Sequence, residues 1–195
     1  MKEQLLKSVT ALSGCSPEQI EEVLSIVKQV EIGNGQSYIR AGEIPRSFAF
    51  VVKGLFRYYY ADNKGNEFTK GFFPENSYIT AYSALLENRE SYFTIEALED
   101  STIFIIDFYK WNQIARNDIC WLKFLVSLLE KGYCVKEYRE REFLVFSAEE
   151  RYESFLRRFP GLEKRIKQHY IASYLGITPK SLSRIRKKMG KINIG

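Results

Sequence analysis

Between Gln168 and Lys188 the chain carries the pattern that most restricts its fold: a short apolar helix, a glycine, and a second helix holding almost all the local charge. Gly176 sits where the chain must turn sharply, and glycine enters left-handed backbone geometry at little steric cost. Ala172, four positions earlier, lets two helices cross closely. Ile171, Leu175, Ile177, Leu182 and Ile185 are spaced to seal that contact. Thr178 can cap the second helix, and Pro179 suits its first turn. Lys180, Ser181 and Arg184 then fall on the outward face, with Arg186, Lys187 and Lys188 following. An apolar hinge behind and hydrogen-bond donors in front is the build of a DNA-reading helix-turn-helix.

A plain helical hairpin would share the glycine and the apolar spacing, and charge separates the two readings. Residues 164–195 hold nine Lys or Arg and no Asp or Glu. A one-signed stretch on a folded helix favours a phosphate partner. Arg184 is the expected bidentate contact to a guanine edge, with Lys180 and Ser181 reading a neighbouring base or phosphate. Lys187 and Lys188 suit phosphate, and Thr178 and His169 flank the same surface. The net charge of +5 is uneven, since residues 147–195 carry +8 and residues 1–146 carry −3. One module is thus fitted to a polyanion and the rest to another task.

At 195 residues the length suits one large or two modest domains. Residues 1–30 read as helical. Ser16 to Gln19 is a capping signature, and Ile20, Val23, Leu24 and Val27 form an apolar face. From about residue 31 to 107 short aromatic-rich strands alternate with turns: Tyr38–Arg40, Phe48–Val52, Leu55–Tyr60, Glu67–Phe73, Phe93–Ala97 and Thr102–Ile106. Such spacing indicates an antiparallel sandwich or barrel. Tyr109–Ala115 is a short element. Ile119 to about Phe146 is one long helix, with Leu122, Leu125, Val126, Leu129 and Tyr133 at three- and four-residue steps. That stripe suits either packing on its own sheet domain or a two-stranded seam between subunits, and paired half-sites favour the seam.

Cys15, Cys120 and Cys134 form no CxxC pair or Cys/His cluster, which argues against a zinc or iron–sulfur centre. They read as three reduced thiols of a cytoplasmic protein. No signal-peptide pattern opens the sequence and no apolar run reaches the roughly 18 residues of a membrane span. With one His, no nucleophile–base motif and no phosphate-cradling glycine loop, an enzyme is not expected, and Glu149-Glu150 reads as a solvated helix face.

A sheet domain, a long helix and a C-terminal helix-turn-helix, in that order, resemble the CRP/FNR-type transcription regulators. The resemblance rests on Phe50–Gly54, Gly71–Pro74, Thr94–Leu98 leading to Ile103–Asp107, and, more specifically, on Ile171–Gly176 with Ser181–Ile185. It implies an α+β chain: an N-terminal antiparallel jelly roll of the cyclic-nucleotide-binding kind over 1–117, a dimerisation helix over 118–146, and a helix-turn-helix over 147–195. Its implied partners are double-stranded DNA, a second copy of the chain, RNA polymerase and an unidentified small-molecule effector, with no membrane and no cofactor. Members that bind cyclic AMP hold the ribose with a Phe-Gly-Glu stretch and the phosphate with an Arg before the Thr-Ile-Glu-Ala-like strand. Here residues 78–93 contain no Gly-Glu, Ser91 takes the place of that Arg, and Arg89 is two residues out of register. A buried phosphate without a cation costs several kcal/mol, so cyclic AMP is not the expected ligand. Tyr78, Tyr82, Arg89, Ser91 and Tyr92 are the candidate lining of the effector cavity, with sheet-core filling the competing reading for the tyrosines. Gly190–Gly195 are too few for a two-stranded wing, which is expected to shrink to one short strand. The competing function is a ligand-binding or protein-interaction module with a degenerate helix-turn-helix.

Overall fold

The computed structural model describes residues 2–116 and 118–192. Contacts divide the chain into two units: Met1–Tyr60 with Phe72–Tyr133, and Ala61–Gly71 with Cys134–Gly195.

The first unit begins with α1 (Lys2–Ser13) and α2 (Pro17–Ser25). Ser16 caps α2: its Oγ accepts the Gln19 amide, and the Gln19 side chain accepts the Ser16 amide in return. Helix does not continue to residue 30 as the sequence pattern suggested. Val27–Ile32 form β1 instead, paired antiparallel with β8 (Ser101–Asp107) from Val27 opposite Ile106 to Ile32 opposite Ser101. β-Branched Val27 and Val30 suit that pairing, and a partner strand outweighs a weak local helix preference.

The remaining strands are β2 (Ser37–Ile39), β3 (Ser47–Lys53), β4 (Phe56–Ala61), β5 (Glu67–Phe73), β6 (Tyr78–Ile79) and β7 (Thr94–Ala97). They form two four-stranded sheets, ordered β1-β8-β3-β6 and β2-β7-β4-β5. Ala49, Val51, Phe56, Ile79, Ile95 and Ile103 fill the space between the sheets. On β3 and β8 the alternate residues Phe50, Val52, Phe104 and Ile106 point the other way. There they meet Leu5 and Val9 of α1, Ile20 and Val23 of α2, Trp111 of α4 (Phe108–Ala115), and Trp121 and Phe124 of α5 (Ile119–Val145). Burial on both faces explains why Phe48–Val52 and Thr102–Ile106 read as continuous apolar runs. A charged side chain is buried on the other sheet. Arg57 on β4 is 1% exposed, donates to Glu96 on β7 at 2.6 Å and lies 4.0 Å over the Tyr59 ring.

The cysteines are not the three separate reduced thiols that their spacing suggests. Cys15, just before the α2 cap, and Cys120, in the first turn of α5, are joined as a disulfide with Cα atoms 5.3 Å apart, while Cys134 is free and exposed.

The second unit holds the end of α5, α6 (Ala148–Arg158), a 3-10 turn (Leu162–Lys164), α7 (Gln168–Leu175) and α8 (Pro179–Ile192). Residues 190–192 continue α8 rather than forming the expected wing strand, and 193–195 lie outside the described residues. Among the described residues no helix is long and apolar enough to cross a membrane.

Gly54 links β3 to β4 at φ +109°, and a Cβ there would overlap Ser101. Gly54→Ala should lower unfolding free energy by about 2 kcal/mol, measured by urea titration.

Candidate nucleic-acid interface and effector site

α6 starts at a capping box: Ser147 Oγ accepts the Glu150 amide, and the Glu150 carboxylate accepts the Ser147 amide at 2.7 Å. That backbone hydrogen bond holds the Glu150 pKa below its ordinary value. Tyr152 and Phe155 of α6 are buried, as are Leu162, Ile166, Ile171, Ala172, Tyr174 and Leu175, and the Phe155 ring packs on Tyr174 with centroids 5.7 Å apart. Gly176 caps α7 in the left-handed region at φ 67°, ψ 35°, its amide donating to the Ala172 and Ser173 carbonyls. A Cβ there would lie 2.9 Å from the Phe143 ring. Thr178 Oγ1 then accepts the Ser181 amide at 3.1 Å and opens α8.

Leu182 and Ile185 are the buried side of α8, and Lys180, Arg184, Arg186, Lys187 and Lys188 are exposed. Positions 180, 184 and 187 recur at helical spacing and so share one face. Among the described residues Lys180, Arg184 and Lys187 make no ion pair, which leaves three cations open to an incoming anion. Lys188 differs, because its Nζ lies 2.7 and 2.9 Å from the Glu149 carboxylate oxygens. Ser181 is half-buried and shares a hydroxyl contact with Thr178 at 2.9 Å. His169 is exposed and packs on Tyr170 with ring centroids 4.0 Å apart.

What holds these helices to the end of α5 is a buried carboxylate that the sequence patterns do not single out. Glu142 is 6% exposed. It accepts Ser154 Oγ at 2.6 Å and Arg158 Nη2 at 2.7 Å, with Arg158 Nη1 at 3.4 Å and Arg139 Nη1 at 3.7 Å. Arg158 also donates to the Tyr174 hydroxyl, and Arg139 donates to the Tyr174 carbonyl while its guanidinium lies 3.6 Å over the Tyr174 ring. Arg151 closes the set, donating to the carbonyls of Leu175 and Phe146. Burial pushes the Tyr174 phenol above its usual range, and the two arginines oppose that shift. α7 has a second anchor in this unit: Ser173 Oγ accepts the Thr69 amide and donates to the Glu67 carbonyl, each at 2.9 Å.

In the first unit the residues expected to line an effector cavity do not converge. Tyr78 turns away from the space between the sheets. Its ring packs on Phe50 and Phe124 and its hydroxyl donates to Ser8, because β6 residues alternate and Ile79 takes the inward side. Tyr82 is half-buried on α3 (Tyr82–Glu87), and Tyr92 is 70% exposed. Arg89 pairs with Glu87 and lies over the Tyr92 ring. Ser91 is buried, but its hydroxyl donates to the Phe93 carbonyl at 2.7 Å. The interior beside it is filled by Tyr58, stacked between Phe73 at 4.0 Å and Phe93 at 5.1 Å, with its hydroxyl accepting the Thr80 amide. Of the α5 stripe, Leu122, Val126, Leu129 and Tyr133 are exposed, whereas Leu125 packs into the helical core of its own unit.

Residues 29–118 match the family described as the cyclic nucleotide-binding domain, and the fold as a whole is shared with several solved structures. The chain is similar in structure to FixK2 from Bradyrhizobium japonicum, at 16% identity and a TM-score of 0.76 over 87% of each chain. It is also similar to the c-di-GMP responsive regulator CLP from Xanthomonas campestris, at 12% identity and TM-score 0.73 over 91% of this chain and 93% of that one. A mutant of CooA from Carboxydothermus hydrogenoformans aligns at 19% identity and TM-score 0.71 over 87% and 79%. By sequence, no curated protein matches the chain.

Glu142→Gln should destabilise the second unit by about 3 kcal/mol, read by chemical denaturation, because buried guanidinium groups lose their counter-charge. Burial holds the Tyr58 phenol well above its ordinary pKa. The folded state therefore keeps that proton more tightly, so this contribution is present below about pH 10 and lost as pH rises through the folded value. Tyr58→Phe should flatten the alkaline fall in stability, measured by urea titration at increasing pH.

Proposed function

We propose that this chain is a homodimeric, sequence-specific DNA-binding transcription regulator that does not respond to cyclic AMP. The observation that carries the reading is the α8 face on which Lys180, Arg184 and Lys187 stand exposed without ion-pair partners, over a hinge capped by Gly176. In this reading residues 1–117 are the effector domain, 118–146 the dimerisation helix and 147–195 the DNA-binding domain. Leu122, Val126, Leu129 and Tyr133 form the seam with a second copy, and their exposure on one chain supports that role. Leu125 serves its own core instead. Two recognition helices would then sit about 34 Å apart, one turn of DNA. Duplex DNA, the second copy and RNA polymerase are the partners, in the cytoplasm.

The cyclic AMP part rests on Ser91, whose hydroxyl is spent on the Phe93 carbonyl, and on the Tyr58 stack beside it. A cyclic phosphate would find no cation at that position, and burying it unpaired is costly. Lys188 contributes to phosphate binding only by exchanging its Glu149 partner for DNA.

Selection from random duplex DNA at about 150 mM salt tests the reading, since nonspecific phosphate contacts are weakened there. A two-fold-symmetric site should enrich. Arg184→Ala should then cost about 1–3 kcal/mol on that site and relax one position in each half. Lys187→Ala should weaken selected and random duplexes alike and lower the salt slope by about one ion. Equal losses on both duplexes for both variants would contradict this division of roles.

A further inference from the structure

We propose that Cys15 and Cys120 form a thiol–disulfide exchange site whose substrate is a low-molecular-weight disulfide of the glutathione class. The first support is placement. The two residues are 105 apart in sequence, yet their Cα atoms lie 5.3 Å apart, within the span a disulfide bridges. Both are nearly buried, at 6% and 7% exposure. The second support is the built surroundings. Cys15 follows the α1–α2 turn at Gly14 and precedes the Ser16 cap, whose partner Gln19 also donates its side-chain amide to Asp118 at 2.5 Å. Asp118 in turn accepts the Cys120 amide at 2.8 Å. Cys120 therefore stands in the first turn of a 27-residue helix, where the positive end of the helix dipole favours the thiolate that attacks a disulfide. A groove of about 430 Å³ is lined by the chain neighbours of Cys120, among them Asp118, Ile119 and Trp121, while the Cys120 side chain lies outside that lining.

The third support joins the pair to the regulator reading, on which this step rests. That reading puts the chain in a reducing compartment, where disulfides are transient and redox-sensing rather than permanent. The space beside Ser91 is filled by Tyr58 stacked between Phe73 and Phe93, and a signal arriving as a disulfide needs no cavity there. The pair ties the α1–α2 layer to the start of α5, next to Ile119 and Leu122, which begin the exposed face. Oxidation pins that turn of α5, and reduction releases it.

The chemistry balances with one oxidant. The Cys120 thiolate attacks one sulfur of glutathione disulfide, the S–S bond breaks, and one glutathione leaves as thiolate. The Cys15 thiolate then attacks the mixed disulfide, expelling the second glutathione and forming the Cys15–Cys120 bond. Two electrons pass from the protein to glutathione, and the two thiol protons end on the two glutathione thiolates. Excess reduced glutathione runs the steps backwards.

The test uses the full chain carrying Cys134→Ser, which removes the exposed third thiol. It is equilibrated with reduced and oxidised glutathione in varied ratio. Alkylatable thiols are counted by mass, amide exchange is read over residues 119–124, and binding to the selected duplex is measured. The expected result is a reversible passage from two thiols to none. With it, amides 119–124 should exchange about ten-fold more slowly when oxidised, and DNA affinity should shift several-fold. The Cys15→Ser, Cys120→Ser double variant should behave as the reduced form in every mixture. A pair fixed in one state across all mixtures overturns the proposal. So does conversion that leaves both amide exchange and DNA affinity unchanged. Reversible conversion with altered exchange but no DNA binding in either state supports the exchange site and removes the regulator reading alone.

Discussion

A buried carboxylate governs the geometry of the helical unit. Glu142 lies on the last turns of α5, and the groups that neutralise it come from α6 and from α5 itself. Those arginines also reach the carbonyl and hydroxyl of Tyr174 on α7. One charge thus joins three helices through directional bonds rather than through apolar packing, which could slide. A buried ion pair adds little net stability over a hydrophobic substitute, but a broken one is expensive. The arrangement therefore favours a single orientation of the helix-turn-helix on the end of α5. The proposed reading of two half-sites requires such a fixed orientation, since spacing is part of what would be read.

The helix-turn-helix itself was legible in the sequence because its parts are local. A glycine at a positive φ, a capping Thr178, a small Ala172 and one-signed charge lie within about twenty residues. Most strands were legible for a related reason: the aromatic runs are bounded by turns, and each run became a strand within a few residues of the expected place. β1 is not legible in the sequence because Ile26 and Val27 continue the apolar spacing of α2 by chance, and only the partner strand β8 decides the matter.

The features not legible in the sequence are long-range. Glu142 sits among Glu137, Glu140 and several arginines on a helix whose charges look solvated, and nothing local marks the one that is buried. Cys15 and Cys120 are brought together only when α2 and the start of α5 pack on the outer face of β3 and β8. The effector cavity failed in a different way. The absence of a phosphate-binding Arg was readable, but the filling of the interior by Tyr58 between Phe73 and Phe93 depends on strand register. Tyr78, by contrast, was misplaced by a single step of alternation, since a one-residue shift moves a side chain to the opposite face of a sheet.

In the proposed assembly two copies place two recognition helices on one face of the duplex. Hydroxyl-radical footprinting on a selected duplex addresses it directly. Two protected patches are expected, symmetric about the site centre and about 10 base pairs apart. A single protected patch, with one chain bound per duplex, would contradict it.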